Sequence, residues 1–298
     1  MRADDKSKNQ EKKPASNGGI NWFPGHMART RRLIKESLSL VDAVTELKDA
    51  RIPQSSTNPE LNGLIENKPR IILLNKSDLA DEKTTKEWIS FYESQGNVCL
   101  AVDCRTGRGL GAYRGAVNRV LEDKIASNTE KGMAGKALRI MVVGIPNTGK
   151  SSFINRMAGG GKAKVEDRAG VTRHNKWYVI GNGLELLDTP GVLWPKFDDP
   201  DVGYRLAFTG GIKDDILDTE ELAVKLLEIL ARDYPERLTE RYKVADFADM
   251  EPYELLECIG RKRGMLISGG EVDTLRAATM LFDELRGGKL GKISFERP

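Results

Sequence analysis

The sequence predicts a doubly wound, mostly parallel α/β domain followed by a small all-α domain, and two features carry that prediction. Short apolar runs rich in β-branched residues alternate with helix-length amphipathic stretches from about Val41 to Asp188, the pattern of parallel strands joined by crossover helices. After Asp214 the apolar residues fall at helical spacing instead.

Six strands are expected: Ala43 to Leu47, Arg70 to Leu74, Val98 to Val102, Arg139 to Val143, Trp177 to Ile180 and Leu184 to Leu187. In such a sheet ligands bind beyond the carboxyl ends of the strands, so the turns that follow them are where chemistry is expected. EKGMAGKA, Glu130 to Ala137, reads as a surface connection between two halves of the domain. Three helices are expected beyond it, at Thr219 to Asp233, Pro252 to Lys262 and Val272 to Arg286. The expected division is a disordered tail over 1–19, an α/β domain over 20–208 and a helical domain over 209–298.

With 39% apolar and 31% charged residues the composition is that of a globular protein, and no apolar stretch approaches the roughly 18 residues of a membrane span. The mixed-charge N-terminus lacks both the apolar core of a secretory signal and the acid-poor character of a transit peptide. Three cysteines without a CxxC pair, and two histidines, exclude a disulfide framework and a structural zinc site. A cytoplasmic location and a monomer are expected. Net charge is +3 and unevenly divided: residues 1–204 carry 32 Lys/Arg against 25 Asp/Glu, and residues 205–298 carry 15 against 19. Clusters at Arg29, Arg31, Arg32 and Lys35, at Arg261, Lys262 and Arg263, and at Arg286, Lys289 and Lys292 are either solvated helix faces or contacts to an RNA backbone.

GIPNTGKS, Gly144 to Ser151, follows the strand RIMVV and opens a helical segment, the context a phosphate loop requires. Its backbone N–H groups, over Asn147, Thr148, Gly149, Lys150, Ser151 and Ser152, face an anion; Lys150 reaches the β- and γ-phosphates and the Ser151 hydroxyl takes Mg²⁺. DTPG, Asp188 to Gly191, also ends a strand: Asp188 is placed to hold Mg²⁺ through water, and the Gly191 N–H to meet the γ-phosphate. Between them Thr172 is expected to close over Mg²⁺ and the γ-phosphate. NKSD, Asn75 to Asp78, selects guanine, because the Asp78 carboxylate accepts from N1–H and the exocyclic amine, a pair of donors that adenine does not offer. Asn75 serves guanine N7 and ties neighbouring loops together, and the Lys76 stem lies over the ring. DCRTG, Asp103 to Gly107, is the second base loop, with Asp103 and Arg105 flanking a Cys104 N–H that meets guanine O6.

The order NKSD, DCRTG, GIPNTGKS, Thr172, DTPG resembles that of a circularly permuted GTPase, G4-G5-G1-G2-G3. NWFPGHMARTRR, DARIPQSSTNP, LLNKSD, GIPNTGKSSFIN, LLDTPGVLWPKF, TGGIKD and IGRKRG together resemble the YlqF/RbgA family of ribosome-biogenesis GTPases over residues 20 to 297. That resemblance implies a GTP hydrolase acting in late assembly of the large (50S) ribosomal subunit, binding the subunit and its RNA in the GTP state and leaving after hydrolysis. It implies RNA contacts at Arg29, Arg31, Arg32, Arg261, Lys262 and Arg263. A different class, a GTP-gated binding module in which hydrolysis is incidental, has the same loops.

Many GTPases orient the attacking water with a Gln after D-x-x-G; here that position is Val192, which cannot polarise water. The resemblance points to His26 in FPGHM as the group that does. His174, beside Thr172, departs from the residues usual in relatives. Asn147 is the residue type that in similar GTPases helps hold K⁺ beside the phosphates.

Overall fold

The computed structural model describes residues 24–65, 67–159, 164–166, 176–181, 183–194, 197, 199–212 and 218–298, with the side chains of 24–30 and 164–166 outside that description. Seven strands, β1 (Ala43–Asp49), β2 (Arg70–Asn75), β3 (Val98–Ala101), β4 (Leu138–Val143), β5 (Lys164–Glu166), β6 (Lys176–Ile180) and β7 (Leu184–Asp188), form one sheet in the order β3-β2-β1-β4-β7-β6-β5. The five from β3 to β7 are parallel, while β6 runs antiparallel to β7 and to β5. All six expected strands form. The seventh, β5, is three residues of a polar edge and carries no periodic apolar signal.

Helices α1 (Pro24–Leu38), α2 (Pro59–Ile65), α3 (Glu82–Ser94), α4 (Tyr113–Val120), α5 (Glu122–Glu130) and α6 (Lys150–Met157) cover the sheet. One face packs Tyr113, Val117, Phe153 and Ile154 against Leu47, Ile71 and Ile140. On the other, Ile34, Ile65 and Trp177 meet Met141 and Leu187, and Trp88 and Tyr92 meet Ile72 and Leu74. Burial of both faces explains the continuous apolar character of β2 and β4.

β1 departs from that character. It reads AVTELKD, yet every residue is buried. Its polar groups are matched: Thr45 bonds the Tyr113 hydroxyl at 2.7 Å, Glu46 lies 3.6 Å from Lys48 and 3.3 Å from Arg70, and the Lys48 ammonium sits 4.6 Å from the centre of the Tyr92 ring. The strand therefore runs on through Lys48 and Asp49, two residues beyond its expected end.

The second domain packs α8 (Thr219–Asp233), α9 (Pro235–Tyr242), α10 (Pro252–Lys262) and α11 (Thr274–Arg286) around Leu226, Leu230, Leu256, Ile259 and Leu281. Asp218 and Asp273 cap α8 and α11 through their carboxylates, and Glu251 and Glu254 form a capping box on α10. Gly260 lets α10 approach its neighbours: a Cβ there would stand 2.5 Å from Val272 Cγ1. Helix α7 (Pro200–Phe208) joins the domains, placing Leu206 against Ile52, Ile145 and Trp194 on one side and Phe208 in the helical core on the other. The expected boundary at 208/209 thus falls at the end of a helix shared by both cores.

Beyond α11 the chain returns to the sheet domain. Ile293 N–H donates to Leu79 O at 2.9 Å and Phe295 N–H to Arg51 O at 2.8 Å. The buried Glu296 carboxylate accepts from Gln54 N (2.7 Å) and Ser55 N (3.0 Å), and Trp88 Nε1 donates to Glu296 O at 3.3 Å. Replacing Glu296 by Ala strands two inward-facing amides, and the expected loss is about 2 kcal/mol of unfolding free energy, with Glu296→Gln intermediate. Urea denaturation of the three proteins measures this, and equal midpoints would mean that the carboxylate does not clamp the domains.

Candidate nucleotide site

Because β2, β3, β4 and β7 are parallel, their carboxyl ends open at one edge of the sheet, and each ends in one of the turns singled out from the sequence. β4 runs into the loop 144–149, which has left-handed backbone at Asn147 (φ 60°) and Gly149 (φ 97°) and leads into α6 at Lys150. Gly149 is required twice over, since a Cβ there would also stand 2.2 Å from Asn75 Nδ2.

Lys150 is buried, and its ammonium donates to Gly144 O at 3.0 Å and to Ile145 O at 2.8 Å, curled back on its own loop. Burial pulls its pKa down to about 8, against the pull of the nearby Asp188 carboxylate. Burial likewise raises the pKa of Asp188, with Lys150 and Lys176 opposing it. A cavity of about 670 Å³ lies between the loop and the end of β7, lined among others by Asn147, Lys150, Ser151, Asp188 and Gly191. Thr189 fixes this turn by donating from Oγ1 to Val142 O at 2.6 Å. Gly191 passes so close to the phosphate loop that a Cβ would stand 2.8 Å from Pro146 N and 2.9 Å from Lys150 Nζ, which explains a glycine at the fourth position of DTPG.

The base side is joined to the phosphate side through Asn75, the last residue of β2. Its Nδ2 donates to Thr148 O at 2.7 Å, and its Oδ1 accepts from Cys104 N–H at 2.9 Å. The Cys104 N–H, the group expected to meet guanine O6, is thus directed onto Asn75 in this structure. Asp103 holds the turn: its Oδ1 accepts from the N–H groups of Arg105 and Thr106, and its Oδ2 from the Thr106 hydroxyl. Arg105 reaches across to Asp78 at 3.4 Å, and both are partly exposed at the rim. Lys76 takes a left-handed backbone (φ 59°), with its ammonium 2.9 Å from Asp49 at the end of β1.

Asp49 is a site residue that sequence reasoning passed over. Burial pushes its carboxyl pKa up, but the two hydrogen bonds from Arg51 (2.9 and 2.7 Å) and the Lys76 ammonium outweigh this and hold it well below the usual carboxylate range. Arg51 continues to Thr209 O at 3.4 Å, and Asn147 Nδ2 donates to Gly210 O at 2.7 Å. Base loop, phosphate loop and the start of the helical domain thus meet within two side chains of each other. The signal available in the sequence was the D-x-R spacing of Asp49 and Arg51 where β1 ends.

Thr172 and His174 lie outside the described residues, as does the side chain of His26, whose backbone belongs to α1. Further along α1, Ile34 is buried in the same core cluster as Val192, the residue after DTPG. Among the basic positions, Arg31 lies 3.8 Å from Glu60 and Arg32 2.8 Å from Glu36, both exposed. The Arg29 side chain is outside the description. Lys262 donates to Lys243 O, and Arg263 lies 3.6 Å from Glu284 and over the Tyr242 ring, while Arg261 is exposed.

A phosphate loop, an Asp-Thr-Pro-Gly turn and an Asn-Lys-x-Asp turn delivered to one edge of a parallel sheet define a P-loop guanine-nucleotide-binding domain. Residues 139–254 match the family described as 50S ribosome-binding GTPase. The chain is 45% identical to ribosome biogenesis GTPase A of Bacillus cereus, over 94% of each protein, and 48% identical to that of Priestia megaterium, over 94% of this chain and 97% of the relative. It is similar to the structure of GDP-bound YlqF (33% identity, TM-score 0.65, 89% of this chain and 98% of the other). GNP-bound YlqF from T. maritima matches at 30% identity and a TM-score of 0.62, over 91% and 98%. The chain belongs to the ribosome biogenesis GTPase A family, and its activity is hydrolysis of GTP. GTPases generally work with Mg²⁺, and Ser151 and Asp188, two oxygen donors lining one cavity beside Lys150, suit a cation that takes its remaining ligands from phosphate and water.

A buried lysine whose folded pKa lies below its unfolded value of 10.5 makes the nucleotide-free fold gain stability as pH rises from 8 toward 10.5, because there the unfolded chain binds the extra proton. The expected gain is about 3 kcal/mol. It should be absent from Lys150→Met and from the nucleotide-bound protein, where phosphate charge favours the ammonium. Denaturant titrations across that pH range provide the measurement.

Proposed function

We propose that GTP hydrolysis by this chain times its action on the large ribosomal subunit late in assembly: the GTP form binds the subunit and its RNA, and the protein leaves after hydrolysis. The names of its relatives and the description of the matching family support the subunit as partner. The observation that carries the timing is the junction at the phosphate loop. Gly210, at the entry to the helical domain, accepts from Asn147, and Leu193 and Trp194, just beyond DTPG, pack with Leu206 of α7. A change at the γ-phosphate therefore has a short mechanical path to the helices. The motif order is read as a circular permutation, in which the connection over 131–137 joins what would be the ends of an ordinary GTPase. The protein acts in the cytoplasm as a monomer.

In this mechanism Asp78 accepts from guanine N1–H and the exocyclic amine, and the Lys76 stem covers the ring. The Lys150 ammonium leaves the carbonyls of Gly144 and Ile145 for the β- and γ-phosphates. Ser151, Asp188 and Thr172 would hold Mg²⁺, which would supply positive charge against the phosphates. The Asn147 side-chain oxygen would be the donor to K⁺, its amide nitrogen being engaged by Gly210 O. His26 orients the attacking water; the burial of Ile34 beside Val192 supports this by anchoring α1 against the segment that leaves DTPG. Arg29, Arg31, Arg32, Arg261, Lys262 and Arg263 contact RNA phosphates.

Two substitutions test the reading. Asp78→Asn should weaken GTP binding by roughly a hundredfold and favour the xanthine nucleotide, whose 2-carbonyl meets an amide donor. His26→Ala should keep GTP binding but lose a factor of about 10² or more in turnover stimulated by large-subunit precursors, measured in KCl and in NaCl. Unstimulated turnover in the unaltered protein, with subunit binding still gated by GTP, would favour the binding-module alternative.

A further inference from the structure

At the opposite edge of the sheet from the nucleotide lies a second cavity, of about 550 Å³, between α4, α5, the connection over 131–137 and the first residue of β4. Three cations line it: Arg114 and Arg119 from α4, and Lys136 from the connection. Glu122 is the one acid in its lining. Arg114 Nη1 is shut off from water and has no hydrogen-bond partner. None of the three cations forms an ion pair with an acid among the described residues; the Lys136 ammonium lies 4.0 Å from the Met133 sulfur.

A buried guanidinium nitrogen without a partner is costly, and an anion entering the cavity that Arg114 lines would offset that cost. The rest of the lining says what kind of ligand. Asn118, Asn128 and Thr129 supply neutral donors and acceptors, and Ile125, Met133 and Leu138 supply an apolar wall. Fixed positive charge, amide groups able to pair with base edges and an aliphatic surface suited to a flat ring, in a volume of a few hundred Å³, match one nucleotide unit.

We propose that this cavity is a second nucleotide site, binding the phosphate of a single ribonucleotide through Arg114, Arg119 and Lys136 and its base against Ile125 and Met133. The ligand is either a free nucleoside 5′-phosphate or an unpaired residue of RNA, which share that chemistry. The site is independent of the phosphate loop and does not rest on the proposed role at the ribosome.

The test uses the full chain saturated with Mg²⁺ and GDP, so that the phosphate loop is filled, and follows the methyl resonances of Met133 and Ile125. AMP and a single-stranded hexauridylate are titrated separately, with adenosine as the uncharged control. At least one of the two phosphate-bearing probes should move both methyls saturably, with adenosine at least tenfold weaker. AMP acting alone identifies a free nucleotide, and tighter binding of hexauridylate identifies an RNA segment. Arg114→Met should lose at least tenfold in affinity while keeping GDP binding, and it should melt no lower than the unaltered protein, because it removes the orphaned nitrogen. Arg119→Gln gives the same readout if the first variant folds poorly. No movement with either probe at millimolar concentration, equal binding of adenosine and AMP, or undiminished binding by the variants would overturn the proposal.

Discussion

The nucleotide site depends on one amide side chain. Asn75 stands at the end of β2 and holds the phosphate loop through Thr148 O and the second base loop through the Cys104 N–H, both at short distance and out of water. Each bond is worth about a kilocalorie per mole as a net contribution, but breaking either strands a buried partner at a higher cost. The geometry around Asn75 follows from that demand. Gly149 lacks a side chain where Asn75 approaches, Lys76 turns left-handed immediately after it, and Asp103 ties its own turn so that Cys104 faces inward. Two loops far apart in the chain are thereby fixed relative to each other before any ligand arrives, and such preorganisation lowers the entropy lost on binding.

A second constraint is the treatment of charge at the heart of the sheet. β1 carries Glu46, Lys48 and Asp49 into the interior, and each meets a specific partner. Buried ion pairs are seldom a large net source of stability, but removing one partner leaves the other uncompensated. Asp49 links this network to function, because its carboxylate holds both Lys76 of the base loop and Arg51, which reaches the backbone entering the helical domain. Lys150 shows a different arrangement: a cation lodged in a dry place, hydrogen-bonded only to carbonyl oxygens and with the Asp188 carboxylate nearby, which favours the arrival of a phosphate.

Much of this was legible in the sequence, and where it was not the reasons are physical. Apolar β-branched runs gave six strands, and the turns after them gave the phosphate and base loops, because those turns need particular backbone angles and side-chain chemistry. The two extra residues of β1 were not legible, since Lys48 and Asp49 look like a turn until their partners Tyr92 and Arg51 are in place. Which N–H of the DCRTG turn faces inward was hidden for a similar reason: it is decided by Asn75, nearly thirty residues earlier. The return of residues 290–297 to the sheet domain left no trace because its bonds run largely to backbone atoms, such as Arg51 O and Leu79 O, which have no residue code. The orphaned Arg114 nitrogen likewise becomes visible only once the two helices and the connection enclose it.

The placement of β1 bears on how the molecule is assembled. It is the earliest of the described strands, yet it sits inside the sheet, pairing with β2 on one side and with β4 on the other, where Ala43 lies opposite Ile140. Until β4 arrives, a sheet of β3, β2 and β1 presents a bare, apolar rim of unpaired peptide groups, the kind of surface on which strangers dock. Closing it requires an encounter between segments almost a hundred residues apart, and contacts of that range form slowly. Refolding from denaturant is accordingly a race between this closure and clumping, in which dilution favours the native outcome.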